Sequence, residues 1–225
     1  MGRKESTFPV KNADALHNDQ KGTEMAQVPV DQRRQELVEA AFRTIARLGI
    51  RRATTREICA EAGMQQGIFH YCFRSKQELY RELIRVMVVD MVDAAVAVPD
   101  FGDDPEQCIR MSLSRVWRHA TEYPDRQLAA YELTTFILRD QELSDLAAWQ
   151  YRQYAEQGER LAQAIETATG TGWTVPRPVL ARLLSSGMDG LVLSWLADRD
   201  DEMAVAALDA FSTAVVSLAV HESET

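Results

Sequence analysis

Residues 54–71 read Thr54-Thr55-Arg56-Glu57-Ile58-Cys59-Ala60-Glu61-Ala62-Gly63-Met64-Gln65-Gln66-Gly67-Ile68-Phe69-His70-Tyr71, and this stretch decides the fold. Thr54 and Glu57 have capping-box spacing. The threonine hydroxyl can accept from the Glu57 N–H, and the carboxylate can reach back. Ile58, Cys59 and Ala62 then line one face of a short helix. Gly63 breaks it, and a second short helix is predicted over 65–71, with Ile68 and Phe69 among its apolar residues. Two short helices joined by a glycine-containing turn form a helix-turn-helix unit.

The flanks complete a small core. Upstream, Leu37, Ala41, Ile45 and Leu48 recur at helical spacing, which predicts a helix over 33–48 closed by Gly49. Downstream, Ser75 and Glu78 repeat the capping-box spacing and open a long helix over 76–98. Pro99 marks its end. Further helices are expected near 105–122, 124–139, 142–168, 177–198 and 201–221, and no strand alternation is found. The fold class is all-α: a three-helix DNA-binding arrangement over 31–78, and a further helical domain over 79–225. Residues 1–30 are polar and lack an apolar run, so a disordered or extended tail is expected there and a secretory signal is not. No segment offers 18 charge-free apolar residues, so a membrane span is not expected either.

The 225-residue chain has a net charge of −9, which at first argues against a nucleic-acid partner. Divided along the sequence, the charge reads differently. Residues 31–86 hold 11 basic and seven acidic side chains, a net of +4, whereas residues 87–225 hold 10 and 23, a net of −13. The basic front can face phosphates, and the acidic body would repel them. The three cysteines lack metal-ligand spacing. His119 and Glu122 lie three apart with no third ligand in view, so no metal and no cofactor is expected. There is no Gly-rich phosphate loop and no nucleophile elbow, so an enzyme is not the expectation.

The run Gly49-Ile50-Arg51-Arg52-Ala53-Thr54-Thr55-Arg56-Glu57-Ile58-Cys59-Ala60-Glu61-Ala62-Gly63, continued by Gly67-Ile68-Phe69-His70-Tyr71-Cys72-Phe73-Arg74-Ser75-Lys76-Gln77-Glu78-Leu79, resembles the TetR family of bacterial transcriptional regulators. The resemblance implies that Thr55 bonds a phosphate. It also implies that Gln65, Gln66, Gly67 and His70 face the major groove, and that Tyr71 and Lys76 hold phosphates. Arg51, Arg52 and Arg56 are added electrostatic candidates. Gln65 stands where the family often has Ser, His70 where it has Tyr, Cys72 where it has His, and Cys59 where it has Ala. These departures keep open a second reading: an all-α dimeric small-molecule-binding or interaction protein with a vestigial motif.

For the body over 79–225, the resemblance implies a helical domain that binds an effector and forms a homodimer, while three cysteines without disulfide spacing fit a reducing cytoplasm. The phrase Met188-Asp189-Gly190-Leu191 with Trp195 is similar to the regulatory domain of the family's betaine-inhibitor-like branch. Trp117, Tyr131, Phe136, Trp149 and Tyr154, with Glu132 as a weaker candidate, form the pool for an effector pocket. Aromatic walls with an acidic group suit a cation, and an aromatic or lipophilic effector is equally allowed. The segment 203–220 is apolar around most of a helix, so two of its faces must be covered. Leu184, Gly187, Leu191 and Trp195, with Leu208, Phe211 and Val215, are the dimerisation candidates. The expected partners are a palindromic double-stranded operator, a small-molecule effector and a second copy of the chain.

Overall fold

A computed structural model describes residues 29–96 and 103–221. The expected tail over 1–30 therefore lies outside the described residues except at its end. Helix α1 runs Val30–Leu48, α2 Thr55–Glu61, α3 Gln66–Cys72 and α4 Lys76–Val96. Both capping residues act as their spacing predicts. Thr54 Oγ1 accepts from the Glu57 N–H at 3.2 Å, and Ser75 Oγ from the Glu78 N–H at 3.2 Å. The Glu78 carboxylate takes the Arg74 N–H at 2.9 Å, so it ties down the turn that precedes α4.

Leu37, Phe42, Ile45, Ile58, Phe69 and Phe73 bury themselves almost completely at the centre of the head. Leu79, Leu83 and Ile84 of α4 join the same cluster. The expected boundary at 78/79 thus falls inside a helix that belongs to both parts. Arg34 donates to the Cys72 carbonyl, pairs with Glu78 at 3.2 Å and lies over the Phe73 ring. It closes the C-terminus of α3, where carbonyls would otherwise lack partners.

The body continues with α5 (Pro105–Glu122), α6 (Pro124–Ile137), α7 (Ser144–Thr169), α8 (Arg177–Asp198) and α9 (Asp201–Val216). A small antiparallel ribbon overturns the strand-free expectation: β1 (Thr171–Trp173) pairs with β2 (Ala219–His221), Gly172 opposite Val220. The last predicted helix therefore ends at Val216 rather than 221. Three residues per strand are too few to show a period of two.

The apolar interior forms two clusters. The first extends from the head into α6 and α7 through Leu133, Ile137, Leu143 and Ala147. The second is built by Ile109, Leu113, Ile165, Leu180, Met188 and Val215. Gly49 explains part of the join between head and body. It sits at φ +79, and the Glu132 carboxylate lies so close that a Cβ at Gly49 would meet Oε1 at 3.2 Å. That carboxylate accepts the Ile50 N–H at 2.9 Å. Glu132, a weaker effector candidate from the sequence, thus spans from α6 to the turn behind α1.

Candidate functional site

Helix α3 divides its side chains cleanly. Phe69 and Cys72 are buried, whereas Gln65, Gln66, Gly67, His70 and Tyr71 are exposed. Tyr71 is 65% exposed, so this ring does not pack on the long helix. Gln65 begins the helix with an extended backbone and no side-chain capping bond, leaving its amide outward. Thr55 is half-buried at the start of α2, and Arg56 is exposed beside it.

The head's cations also divide. Arg43 and Arg47 share Glu61 at 2.9 and 3.2 Å, and their bonds hold that carboxyl below its usual range. These two clamp α1 to α2. Arg51, Arg52, Arg56 and Lys76 form no ion pair with a carboxylate among the described residues. Lys76 is partly buried, with Nζ 5.3 Å from the centre of the Tyr80 ring, and that burial lowers its pKa. Arg51 lines a groove with Glu132, Arg139 and Asp140 at the junction with α6. The head thus carries cations without a carboxylate partner and an amide-rich helix face, which suit phosphate and base-edge contacts.

A cavity of about 310 Å³ opens between the two apolar clusters. Helix α4 contributes Met87, Asp90 and Met91, α6 contributes Arg126, Ala130, Tyr131 and Thr134, and α7 contributes Gln150, Tyr151 and Tyr154. Asp189 of α8 forms the far wall, and the exposed Tyr123 lies at the rim. Tyr151 donates to Asp189 Oδ2 at 2.9 Å, and the Tyr131 hydroxyl lies 3.2 Å from the Asp189 carbonyl and 3.4 Å from Oδ1. Burial pushes the Asp189 carboxyl up, opposed by the tyrosine hydroxyls. Burial also pushes all three phenols up, Tyr154 to about 12. They therefore remain protonated donors at neutral pH. Gln150 donates to the Tyr154 hydroxyl at 3.1 Å and accepts from Thr134 at 3.2 Å.

Of the effector candidates, Tyr131 and Tyr154 line this cavity and the other three do not. Trp117 packs edge-on against Trp195, with centroids 5.9 Å apart. Phe136 meets Tyr80 edge-on at 5.6 Å, and Trp149 packs on the first cluster. On α7 the cavity face passes through 150, 151 and 154, and Trp149 lies about 100° away from Gln150. Tyr151, Gln150 and Asp189 were missed by sequence reasoning. Tyr131 and Tyr154 were available anchors, but the 58- and 38-residue separations from Asp189 to Tyr131 and Tyr151 hid the cluster.

Arg126 connects the cavity to the head. Its guanidinium pairs with Glu39 of α1 at 2.8 Å and with Asp90 of α4 at 2.6 Å, and it lies 4.4 Å above the Phe42 ring. One wall residue thus touches the first helix of the head and the long helix together.

The dimerisation candidates face inward. Trp195, Leu208 and Val215 are buried within the protomer. Leu184, Leu191 and Phe211 pack on the second cluster, and a Cβ on Gly187 would overlap the Phe211 ring. The opposite face of α8 is apolar too. Val179, Leu183, Ser186, Gly190, Leu193 and Ala197 are exposed at alternating spacings of four and three. On α9 and its C-cap Ser217, the residues Met203, Ala206, Ala210, Ala214 and Ser217 form a second exposed row. Helix α8 is long and apolar enough to cross a membrane by composition, with an 18-residue window of mean hydropathy 1.3, and only 28% of that window is buried. Alternating four-three spacing is the seam of packed helix pairs.

The family model described as "Bacterial regulatory proteins, tetR family" matches residues 37–83, and "Tetracyclin repressor-like, C-terminal domain" matches 103–218. The chain is 28% identical over 169 residues, 75% of its length, to the HTH-type nicotine-responsive transcriptional repressor HdnoR of Paenarthrobacter nicotinovorans, covering 86% of that protein. It is 43% identical over 65 residues to the HTH-type transcriptional regulator BetI of Agrobacterium fabrum, a match of 29% of this chain and 32% of that protein. A TetR transcription regulator from Haloarcula marismortui superposes with TM-score 0.70 at 19% identity, covering 84% of this chain and 99% of that one.

Proposed function

This chain belongs to the tetR family of bacterial regulatory proteins, and from that premise we propose that it is a homodimeric repressor released from a palindromic operator by a small molecule bound in the cavity. The observation that carries this reading is the outward polar face of α3 on a head joined to the cavity wall through Arg126. Gln65, Gln66 and His70 read base edges, and Gly67 allows close approach of the backbone. Thr55, Tyr71, Lys76, Arg51 and Arg56 hold phosphates. Two heads reach half-sites about one helical turn, or a multiple, apart.

Dimerisation uses the outward rows of α8 and α9. Four such helices, two from each protomer, make an isologous interface. Ser186 and Gly190 allow close approach, and Leu183 and Leu193 supply the apolar contacts. This assembly accounts for a helix that is apolar on both faces without placing it in a lipid bilayer, and it suits a cytoplasmic protein.

Release follows from the shared walls. An effector touching Asp90, Met91 and Arg126 acts on α4 and α6 at once, and both helices hold the head. The effector must bind one head spacing better than the other, since a ligand indifferent to the two shifts nothing. The nicotine-responsive relative supports a small-molecule effector by its name. No catalytic role is assigned.

The test is enrichment of a duplex from a random pool, followed by anisotropy titration of the enriched duplex. A sequence preference that weakens as salt rises is expected, along with its loss in the Tyr71→Ala, Lys76→Ala double variant. Unchanged affinity in that variant favours the vestigial motif.

A further inference from the structure

We propose that the effector is an organic monocation, a protonated amine on an apolar body, held with its nitrogen against Asp189 inside the Tyr131, Tyr151 and Tyr154 rings. The proposal rests on the reading of this cavity as the effector site. Asp189 sits mid-helix in α8 and is largely withdrawn from solvent. Its hydrogen-bond partners are two neutral phenols, and no cationic side chain forms an ion pair with it among the described residues. A carboxylate withdrawn from water is costly without a countercharge, and hydroxyl donors offset only part of that cost.

The other charges of the wall do not supply the countercharge. Arg126 is committed to Glu39 and Asp90, and Arg182 lies 5.9 Å above the Tyr151 ring rather than on the carboxylate. Glu39, Asp90 and Asp189 against Arg126 leave the wall net negative. The site therefore discriminates by sign. An anion would face Asp189 with no cation to receive it, and a neutral ligand would leave that charge unpaired. A cation gains the carboxylate and the electron-rich ring faces together.

The apolar half of the ligand has its own place. A second recess of about 90 Å³ shares Met91, Tyr154 and Asp189 with the cavity and is walled by Leu113, Val116, Leu161, Leu184 and Met188. Ser112, Ser185 and Gln157 interrupt that wall, and the buried Gln157 Oε1 accepts no hydrogen bond among the described residues. An ammonium N–H or a ligand hydroxyl would satisfy it. The geometry thus fits a compact amphipathic amine: charge at Asp189, hydrocarbon toward Leu161.

The experiment uses the full chain without DNA, and calorimetry as readout. The probes are protonated amines of increasing apolar size, N,N-dimethylbenzylamine and its longer phenylalkyl homologues, each set against the neutral phenylalkyl alcohol and the anionic phenylalkyl carboxylate of similar size. At least one amine is expected to bind roughly tenfold or more tightly than both counterparts. Asp189→Asn should abolish that preference, leaving the amine no tighter than the alcohol of similar size. The Asn variant keeps the shape of the side chain, and circular dichroism checks its fold. Two results overturn the proposal: alcohols or carboxylates binding as well as every amine, or Asp189→Asn retaining the amine preference. Addition of the best amine to the protein–duplex complex separates the two readings. An amine that binds through Asp189 but leaves the duplex bound supports the ligand class and contradicts the release mechanism. A duplex released by some other molecule, with no amine bound, contradicts the ligand class and leaves the release mechanism standing.

Discussion

The head and the body of this molecule cover their helices in opposite ways. In the head, Phe69 and Cys72 of α3 turn inward, and the outward face is made of amides, a glycine, a histidine and an exposed tyrosine. In the body, α8 and α9 present apolar side chains on both sides: Leu180, Met188 and Val215 toward the protomer's own core, Leu183, Leu193 and Met203 away from it. A polar outward face suits a partner rich in hydrogen-bonding groups and charge. An apolar outward face at four-three spacing suits another helix. The same contrast holds for charge, +4 over residues 31–86 and −13 over 87–225.

The largest effect should come from charging the outward seam of α8. Leu183→Arg with Leu193→Arg places two cations on each protomer at the proposed contact, and sedimentation should find half the native mass with helicity intact. Persistence of the dimer would move the interface elsewhere. The inward counterpart, Trp195→Ala, should lower Tm through a lost core ring, about 3–5 kcal/mol for such truncations, while the protein remains a dimer. If Trp195→Ala dissociates the dimer without lowering Tm, the assignment of the two faces is reversed.

Next in size is the head. Tyr71→Ala with Lys76→Ala should weaken duplex binding by about 1.5–3 kcal/mol for each hydrogen bond lost to a charged phosphate. Lys76→Ala alone should weaken all sequences similarly and reduce the slope of log affinity against log salt by about one. A loss confined to one base position would assign Lys76 to base reading instead. The junction should respond more mildly. Glu132→Ala removes the carboxylate that accepts the Ile50 N–H, and a loss of about 1–3 kcal/mol is expected in a denaturant titration.

The smallest expected effect concerns pH. Burial raises the Asp189 carboxyl, so between the ordinary carboxylate range and that raised value the folded protein holds a proton that the unfolded chain has released. The favourable contribution is complete below the ordinary range and is lost as pH rises through the folded value. The groups around Asp189 are Tyr131, Tyr151 and Tyr154, with Arg182 beyond the Tyr151 ring and His119, Asp90, Glu39 and Arg126 farther along the wall. Asp189→Asn should therefore flatten the fall of Tm with rising pH and raise Tm at neutral pH by about 2–4 °C. An unchanged Tm–pH profile would show that this carboxyl is not withdrawn from water.

The difference between the regions also explains what could be read from the residues. In the head, each helix has one apolar face, so period and caps settle both the element and the direction it points; Thr54, Ser75 and Gly63 mark its ends. In α8 and α9, the period is equally clear, but both faces are apolar. The inward row of Leu184, Leu191 and Trp195 and the outward row of Leu183, Gly190 and Leu193 read alike until the neighbours are in place. The cavity depended on residues from six helices. Large rings such as Trp117 and Trp149 drew attention but fill core positions, whereas Asp189 stood out only within the phrase Met188–Leu191 of an apolar helix, with no sign that it faces a cavity. The sequence positions of Tyr131 and Tyr154 gave no sign that they surround it.

The measurement that joins the two regions most directly is the duplex affinity of the Leu183→Arg, Leu193→Arg protein. Its head is untouched, and every proposed DNA-contacting residue is present. The account predicts that this folded monomer binds the selected palindromic duplex roughly 100-fold or more weakly than the dimer, because the second head no longer arrives tethered to the first. A monomer that keeps full affinity for the duplex would contradict it.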